Sequence, residues 1–200
     1  MIEALAVVGG YLLGSMPFGY WLPRLFRGED IRTRGSGNVG ATNVFRVYGR
    51  RLGIAVALLD LGTGFAAGLL GVWAGGALVG VLAGAAAMIG HARPVFLRFE
   101  RGGKMVATAG GAFLALAPLA ALGCVAIWLV VFLLTRYASL ASIVTALALV
   151  VLILVFGYSW PVVAFAAAGS AAVVLLHRHN IRRLVGGTEH RFELRRPRRA

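Results

Sequence analysis

The segment from Met105 to Leu134 reads MVATAGGAFLALAPLAALGCVAIWLVVFLL, a run of thirty residues that contains no charged side chain. Thirty helical residues extend roughly 45 Å, whereas the hydrocarbon core of a bilayer is only about 30 Å thick. The segment is therefore either one long tilted span or two short spans that meet near Pro118. The choice decides on which side of the membrane every later residue lies.

The distribution of basic residues separates these two alternatives. The chain carries 20 Lys and Arg against 7 Asp and Glu, a formal charge of +13. The loops before Met105 and Lys104 itself hold 11 of the basic residues, and Arg136 together with the C-terminal tail holds the other 9. Cytoplasmic loops are enriched in Lys and Arg, so a topology that collects all the basic residues on one side is favoured. We therefore predict two short spans hinged near Pro118.

The whole chain has the composition of a multi-pass membrane protein. It is 60% hydrophobic and 14% charged with a mean hydropathy of +0.85, which excludes a soluble nucleic-acid-binding domain and a disordered basic chain. We predict an all-α integral membrane protein of seven transmembrane helices, a single domain over residues 1–200, with the N-terminus outside and the C-terminus cytoplasmic. Besides the two spans above, the predicted spans are Ile2–Leu22, Leu52–Val72, Ala77–Ile89 after a glycine turn at Gly75–Gly76, Ser139–Phe156 and Pro161–Leu176.

Three polar segments, at about 30–46, 90–108 and 177–193, share the predicted cytoplasmic side. The first contains GSGNVGATN at residues 35–43, which matches GxGxxG, but no buried strand precedes it and a dinucleotide site is disfavoured. Glycine-rich backbone still lets N–H groups converge on an anion, and neighbouring side chains add donors. The alternative is a flexible solvated loop. The candidate anion-binding residues are Gly35, Ser36, Gly37, Asn38, Gly40, Thr42, Asn43 and Arg46.

The second segment contains Lys104, the only lysine of the chain, directly after Gly102 and Gly103. Two glycines and a compact ammonium at the predicted start of a helix suit a phosphate. The alternative is an interfacial lysine that reaches toward lipid headgroups. The segment is not a Walker A motif, because Arg98 stands where that motif needs a glycine.

The remaining polar residues have both functional and structural interpretations. His177 and Asn180 share one helical face, as do Ser139 and Ser142, and both pairs are also compatible with ordinary capping and helix packing. Asp60 lies inside a predicted span, where an acid is costly and needs partners. It is either a structural tie or the ion-coupling group of a transporter.

The motifs together resemble those of one enzyme family, in the same order along nearly the whole chain. The matching stretches are Gly14–Gly19, Asp30–Arg46, Gly90–His91, Pro94–Phe96, Gly102–Lys104, Val106–Thr108, Ser139–Ser142, His177, Asn180–Ile181 and Arg183–Leu184. The chain resembles the bacterial acyl-phosphate-dependent glycerol-3-phosphate acyltransferases, the PlsY family. The resemblance implies transfer of a fatty acyl group from acyl phosphate to the 1-hydroxyl of sn-glycerol 3-phosphate, which gives lysophosphatidic acid and phosphate for phospholipid synthesis.

The resemblance also implies roles for individual residues and a location. By this resemblance, the acyl-phosphate site comprises Ser36, Gly40, Ala41, Thr42 and Lys104. The glycerol 3-phosphate site likewise comprises Arg46, Ser142, His177 and Asn180. We expect Ser36, Arg46, Lys104, His177 and Asn180 to be catalytic, with Gly103 and the remaining loop residues binding substrate. The expected setting is the bacterial inner membrane, with a cytoplasmic site, lipid neighbours, and no cofactor, metal, nucleic acid or obligate protein partner.

Two positions depart from the family pattern, and one rival class stays open. Thr63 stands where the family commonly has a lysine, which leaves the partner of Asp60 undetermined, and Met105 stands where a glycine commonly follows Lys104. A small transporter or channel is the rival suggested by Asp60, but the polar motifs show no internal repeat. A basic membrane-surface anchor would not account for GSGNVGATN.

Overall fold

A computed structural model describes residues 1–192, and these are helical throughout apart from loops and turns. Four predicted tail cations, Arg195, Arg196, Arg198 and Arg199, lie outside the described residues, as does the last residue of the third polar segment. The helices are α1 (Ile2–Gly14), α2 (Phe18–Arg27), α3 (Ala41–Tyr48), α4 (Arg50–Ala92), α5 (Val106–Leu116), α6 (Pro118–Thr135), α7 (Ala138–Val155), α8 (Trp160–Leu176) and α9 (Arg178–Val185).

The hinge near Pro118 is confirmed. Helix α5 ends at Leu116, Ala117 has the non-helical angles φ −148° and ψ 65°, and α6 begins at Pro118. Proline lacks a backbone N–H and has a fixed φ, so it is tolerated at the first position of a helix and not in the interior. The long apolar segment is therefore two helices, which pack against each other.

The glycine turn at Gly75–Gly76 is also confirmed, inside α4. Both residues have non-helical angles, and Gly76 has φ 74°, a left-handed conformation that favours glycine. The two halves of α4 approach so closely that a Cβ on Gly71 would lie 2.5 Å from the carbonyl oxygen of Val79. The predicted second and third spans thus form a tight helical hairpin.

The first predicted span, Ile2–Leu22, lies within a stretch that can cross a membrane, Ile2–Arg27, but it is interrupted and is not a single helix. Helix α1 ends at Gly14, a break follows through Pro17, and the separate helix α2 continues to Arg27. Pro17 cannot donate the backbone hydrogen bond that a continuing helix requires. Helix α1 packs along α4, where Gly14 lies directly against the backbone of Ala87.

By length and composition, four helical stretches within residues 1–192 can each cross a membrane. They are Ile2–Arg27, Arg50–Leu97, Pro118–Thr135 and Ala138–Val155. A fifth is the pair α8 and α9, bent by 58°, and α5 is a shorter apolar helix. The second stretch contains the Gly75–Gly76 turn and therefore includes two helices.

The core of the bundle brings α4, α5, α6, α7 and α8 together. Phe113 of α5 stacks on Phe165 of α8 with ring centroids 4.6 Å apart. Glycines let α4 and α5 approach at backbone distance, as at Gly64, which faces the carbonyl of Thr108. This packing places the polar ends of α5, α7 and α8 side by side.

Asp60 is buried within α4, and its role as a structural tie stays a prediction. The Thr63 hydroxyl donates to the main-chain oxygen of Asp60 (2.8 Å) and does not supply the cation common in the family. His91 of the other half of α4 has its Nδ1 3.9 Å from Asp60 Oδ1. The two buried groups therefore face each other across the α4 hairpin.

Candidate active site

Two asparagines give the GSGNVGATN loop its shape. The buried Asn43 accepts from the Ser36 N–H (2.9 Å) and donates to the carbonyls of Arg34 (3.0 Å) and Asn38 (2.9 Å). Asn38 in turn accepts from the Gly40 N–H at 2.8 Å. These bonds fix one loop conformation, against the alternative of a flexible solvated loop. That both asparagines also bind substrate stays a prediction.

The same loop is joined to the second polar segment. The Asn38 side chain donates to the carbonyl of Gly102 at 3.0 Å, and Gly103 N–H donates to the carbonyl of His91 at 2.9 Å. A Cβ on Gly103 would overlap the imidazole of His91, so only glycine fits there. The loop before Lys104 is therefore held from both sides.

Met105, the departure beside Lys104, adopts a conformation that favours glycine. Its φ is 67°, in the left-handed region, and α5 begins directly after it at Val106. A side chain in this region costs about 1–2 kcal/mol. The structure thus gives a physical reason for the glycine that the family commonly has at this position.

Lys104 is joined directly to the third polar segment. Its Nζ donates to Asn180 Oδ1, and Asn180 Nδ2 donates to Glu189 Oε1 at 2.7 Å. Lys104 and Asn180, predicted for different substrates, are therefore in contact, and the two predicted phosphate sites border each other here. The alternative of an isolated interfacial lysine is not supported.

Glu189 is the residue that sequence reasoning missed. Its buried carboxylate also accepts from the hydroxyl of Ser139 (2.8 Å) and from Arg183 Nε (2.7 Å). Burial alone would raise the pKa of Glu189, but the hydrogen bonds from Asn180, Arg183 and Ser139 together hold it below its usual range. A signal was present in the sequence, since Glu189 is one of only 7 acidic residues and lies in an arginine-rich segment.

Positive charge exceeds negative charge around this carboxylate. The pKa of Lys104 is lowered to about 8, mainly by burial and also by the nearby cations Arg183 and Arg46, while Glu189 acts in the opposite direction. Burial likewise lowers the pKa of the half-buried Arg46, which stays charged. Three cations around one carboxylate leave a net positive site that suits a phosphorylated ligand.

Ser142 and His177 lie on the neighbouring ends of α7 and α8, both buried. The Ser142 hydroxyl donates to the carbonyl of Ala138 (2.8 Å) and accepts from Trp128 Nε1 (3.2 Å). His177 Nδ1 lies 2.8 Å from the carbonyl of Val173. Since a carbonyl only accepts, Nδ1 carries the proton, and Nε2 of the neutral ring is an acceptor.

An apolar cavity of about 60 Å³ opens beside these residues, between α5, α6, α7 and α8. Val106, Ser142 and Val173 line the end nearest the polar residues. Phe113 and Leu149 line it about two helical turns farther into the bundle. The site therefore combines a cationic polar region with an apolar pocket, the arrangement that an amphiphilic ligand needs.

The structure brings most of the predicted site residues into one region. The first loop supplies Gly35, Ser36, Gly37, Asn38 and Gly40, and the first turn of α3 supplies Ala41, the exposed Thr42 and the buried Asn43. The first N–H groups of α3 have no partner within their own helix and are available to an anion. Within residues 1–192, no group of three His, Cys, Asp or Glu side chains could hold a metal ion.

Comparison with known proteins identifies the family of this chain. The sequence model of the family described as glycerol-3-phosphate acyltransferase matches residues 4–187. The "Glycerol-3-phosphate acyltransferase 2" of Moorella thermoacetica is 46% identical over 188 residues, which cover 94% of this chain and 96% of that protein. The corresponding Aquifex aeolicus protein, named "Glycerol-3-phosphate acyltransferase", is 44% identical over 188 residues, which cover 93% of this chain and 97% of that protein.

Two solved structures are similar over almost the whole chain. The crystal structure of PlsY in its glycerol 3-phosphate form has a TM-score of 0.92 and 42% identity, and covers 96% of both chains. The lysophosphatidic acid form has a TM-score of 0.89 and 41% identity, and covers 96% of this chain and 95% of that one. Both are described as an integral membrane glycerol 3-phosphate acyltransferase. The chain described here therefore belongs to the glycerol-3-phosphate acyltransferase family of integral membrane proteins.

Proposed function

We propose that this protein transfers a fatty acyl group from acyl phosphate to the 1-hydroxyl of sn-glycerol 3-phosphate, forming lysophosphatidic acid and inorganic phosphate. The observation that carries the proposal is the Lys104–Asn180–Glu189 network, which lies between a glycine-rich anion loop and an apolar cavity. Both proposed substrates carry phosphate, and the donor also carries an acyl chain. The forms of the solved PlsY structures, with glycerol 3-phosphate and lysophosphatidic acid, support the acceptor and the product.

The proposed chemistry is direct transfer. The 1-hydroxyl oxygen forms a bond to the acyl carbon, the bond from that carbon to the phosphate oxygen breaks, and the departing phosphate takes up the hydroxyl proton. Acyl phosphate supplies its own leaving group, so no enzyme nucleophile is required. Catalysis then depends on orientation and on stabilising negative charge.

The chain's residues divide this task between two adjoining sites. Arg46, Ser142 and Asn180 hold glycerol 3-phosphate, and Nε2 of His177 accepts a hydrogen bond from its hydroxyl. Ser36, the first amides of α3 and Lys104 hold the acyl-phosphate head. Because Lys104 contacts Asn180, it borders both phosphates and keeps the two reacting groups close. Mutual proximity of this kind accounts for a large part of such a rate enhancement.

The proposal also covers the number of membrane spans and the orientation of the protein in the membrane. We infer seven membrane-spanning segments with the N-terminus outside and the active site on the cytoplasmic side of the bacterial inner membrane. The breaks at Gly75–Gly76 and Ala117 support this count, because each converts an overlong stretch into two short helices. The placement of the basic residues supports the orientation.

Donor specificity tests the function directly. Purified protein in detergent micelles is incubated with glycerol 3-phosphate and either palmitoyl phosphate or palmitoyl-CoA, and lysophosphatidic acid is quantified. We expect product only from palmitoyl phosphate, with release of one inorganic phosphate per product. Product from palmitoyl-CoA alone would contradict the donor assignment, and no product from either would contradict the enzyme assignment.

Lys104 predicts a characteristic pH dependence. Its pKa of about 8 means that the ammonium loses its proton as pH rises through 8, and an uncharged amine no longer attracts phosphate. We expect kcat/KM to fall roughly tenfold between pH 7 and pH 9, since only about a tenth of the lysine stays protonated at pH 9. Initial rates, corrected for uncatalysed hydrolysis of the donor, measure this profile.

The matched control is Lys104→Arg, whose guanidinium stays charged across the whole range. This variant is expected to lose the alkaline decline, whatever its absolute rate. Lys104→Ala is expected to be slow at every pH. Full activity of Lys104→Ala, or the wild-type decline in Lys104→Arg, would show that the ammonium is not the titrating group.

The cavity predicts the dependence on acyl chain length. Gly110 lines the cavity, and a Cβ built on it meets nothing within 4 Å, so Gly110→Leu fills the pocket without a backbone clash. We expect the ratio of rates with palmitoyl phosphate and octanoyl phosphate to fall about tenfold. Gly62→Leu is the control, because Gly62 is an exposed helical glycine with equally open surroundings that does not line the cavity. An unchanged ratio in Gly110→Leu would place the acyl chain elsewhere.

A further inference from the structure

Four aromatic side chains form a continuous cluster beside the polar site. Phe192 lies edge-to-face against Phe45 of α3 (5.4 Å between centroids) and Phe132 of α6 (5.3 Å). Phe132 in turn stacks on Trp128 at 4.9 Å. We call Phe45, Trp128, Phe132 and Phe192 the aromatic bridge. None of the four was predicted from the sequence as a functional residue.

One end of the aromatic bridge holds Arg46. The guanidinium carbon lies 5.4 Å from the centroid of the Phe192 ring, within the range of a cation–π contact. Within residues 1–192 the Arg46 side chain makes no hydrogen bond, and Glu189 is the acidic group that acts on it. The ring face therefore orients the cation while its five N–H donors stay free for a ligand.

The other end of the aromatic bridge holds Ser142. Trp128 Nε1 donates to the Ser142 hydroxyl oxygen at 3.2 Å, and that hydroxyl donates to the carbonyl of Ala138 at 2.8 Å. With its proton committed to Ala138 and one lone pair to Trp128, the hydroxyl has a defined orientation. Two residues predicted for the acceptor thus contact opposite ends of one aromatic cluster.

Phe192 is held in place by its own backbone and by the preceding residue, Arg191. Its backbone N–H donates to the carbonyl of Arg136 at 2.9 Å, in the turn between α6 and α7. The neighbouring Arg191 donates to the carbonyl of Thr135 (3.2 Å), and its guanidinium lies 5.9 Å from the Tyr137 ring. The segment after α9 is therefore fixed across the polar site at Glu189 and again at Phe192.

We propose that the aromatic bridge is a positioning device for the acyl-acceptor substrate: Arg46 is held for its phosphate, and the remaining lone pair of Ser142 is held for one of its hydroxyl groups. Phe192 holds Arg46 over its ring face, and Trp128 holds the hydroxyl of Ser142, so both groups are oriented before the ligand arrives. A preorganised arginine loses less rotamer freedom on binding than a free one, which strengthens affinity without an added contact. The identification of this ligand as glycerol 3-phosphate rests on the proposed function.

The test compares Phe192→Leu with Phe192→Tyr in purified full-length protein. Leucine keeps an apolar side chain but has no ring face, whereas tyrosine keeps the ring. We expect Phe192→Leu to weaken calorimetric binding of glycerol 3-phosphate about fivefold and to raise its KM similarly, with a smaller effect on kcat. Phe192→Tyr is expected to stay within about twofold of wild type. Melting temperatures report whether either variant merely fails to fold.

A double-mutant cycle separates positioning from general packing. In an Arg46→Gln background the cation is absent, so Phe192→Leu is expected to cost less than about twofold in affinity there. An equal cost in both backgrounds, or equal losses in Phe192→Leu and Phe192→Tyr, would overturn the proposal. The binding measurement needs no acyl donor, so a failure of the acyl-phosphate assay would refute the proposed donor and leave this test intact.

Discussion

The carboxylate of Glu189 is the group on which the polar end of the bundle depends. It accepts hydrogen bonds from Ser139 of α7 and from Asn180 and Arg183 of α9. A carboxylate can only accept, so the amide of Asn180 must turn its nitrogen toward Glu189 and its oxygen toward Lys104. One buried acid thereby fixes the position of a cation that belongs to another polar segment. It also offsets the mutual repulsion of Lys104, Arg46 and Arg183.

The excess of positive charge has more than one role in this molecule. Most of the arginines in residues 1–192 lie in loops or at the ends of helices, and in the proposed topology they face anionic headgroups. A smaller set is drawn into the site, where burial makes each cation costly in the absence of an anion. A phosphorylated substrate removes that cost when it binds. The apolar bundle, with its glycine-mediated helix contacts, supplies the rigid frame and the cavity that an acyl chain requires.

The features of the fold that could be predicted from the sequence are those that depend on the backbone properties of a few neighbouring residues. Pro118 and Gly75–Gly76 act on their own backbone, so both breaks were predictable without knowledge of distant residues. The break before Pro17 carries a similar signal, but the continuous apolar run on both sides concealed it. The predicted topology placed the three polar segments on one side of the membrane, and their clustering could be expected from that. In the structure, Asn38 contacts the second segment and Lys104 contacts Asn180 of the third.

The parts of the site that could not be predicted from the sequence depend on contacts between residues far apart in the chain. Asn38 and Asn43 look like ligand donors in a sequence, yet their amides hold the loop backbone, a role visible only once the partners are placed. Glu189 meets Ser139 across 50 positions of sequence. Phe192 contacts α3 and α6 from the C-terminal segment, and nothing in a stretch of arginines indicates that its ring packs against them.

The most direct test of the positioning role of Glu189 is the Glu189→Gln variant, measured for both binding and turnover. Removing a negative charge from a cationic site favours phosphate, so glycerol 3-phosphate affinity by calorimetry is expected to stay equal to that of wild type or to increase. Turnover with palmitoyl phosphate is expected to fall about a hundredfold, the scale that misplacement of reacting groups by about 1 Å produces. Wild-type turnover in Glu189→Gln, or a loss explained entirely by weaker binding, would contradict a network in which Glu189 positions Asn180 and Lys104.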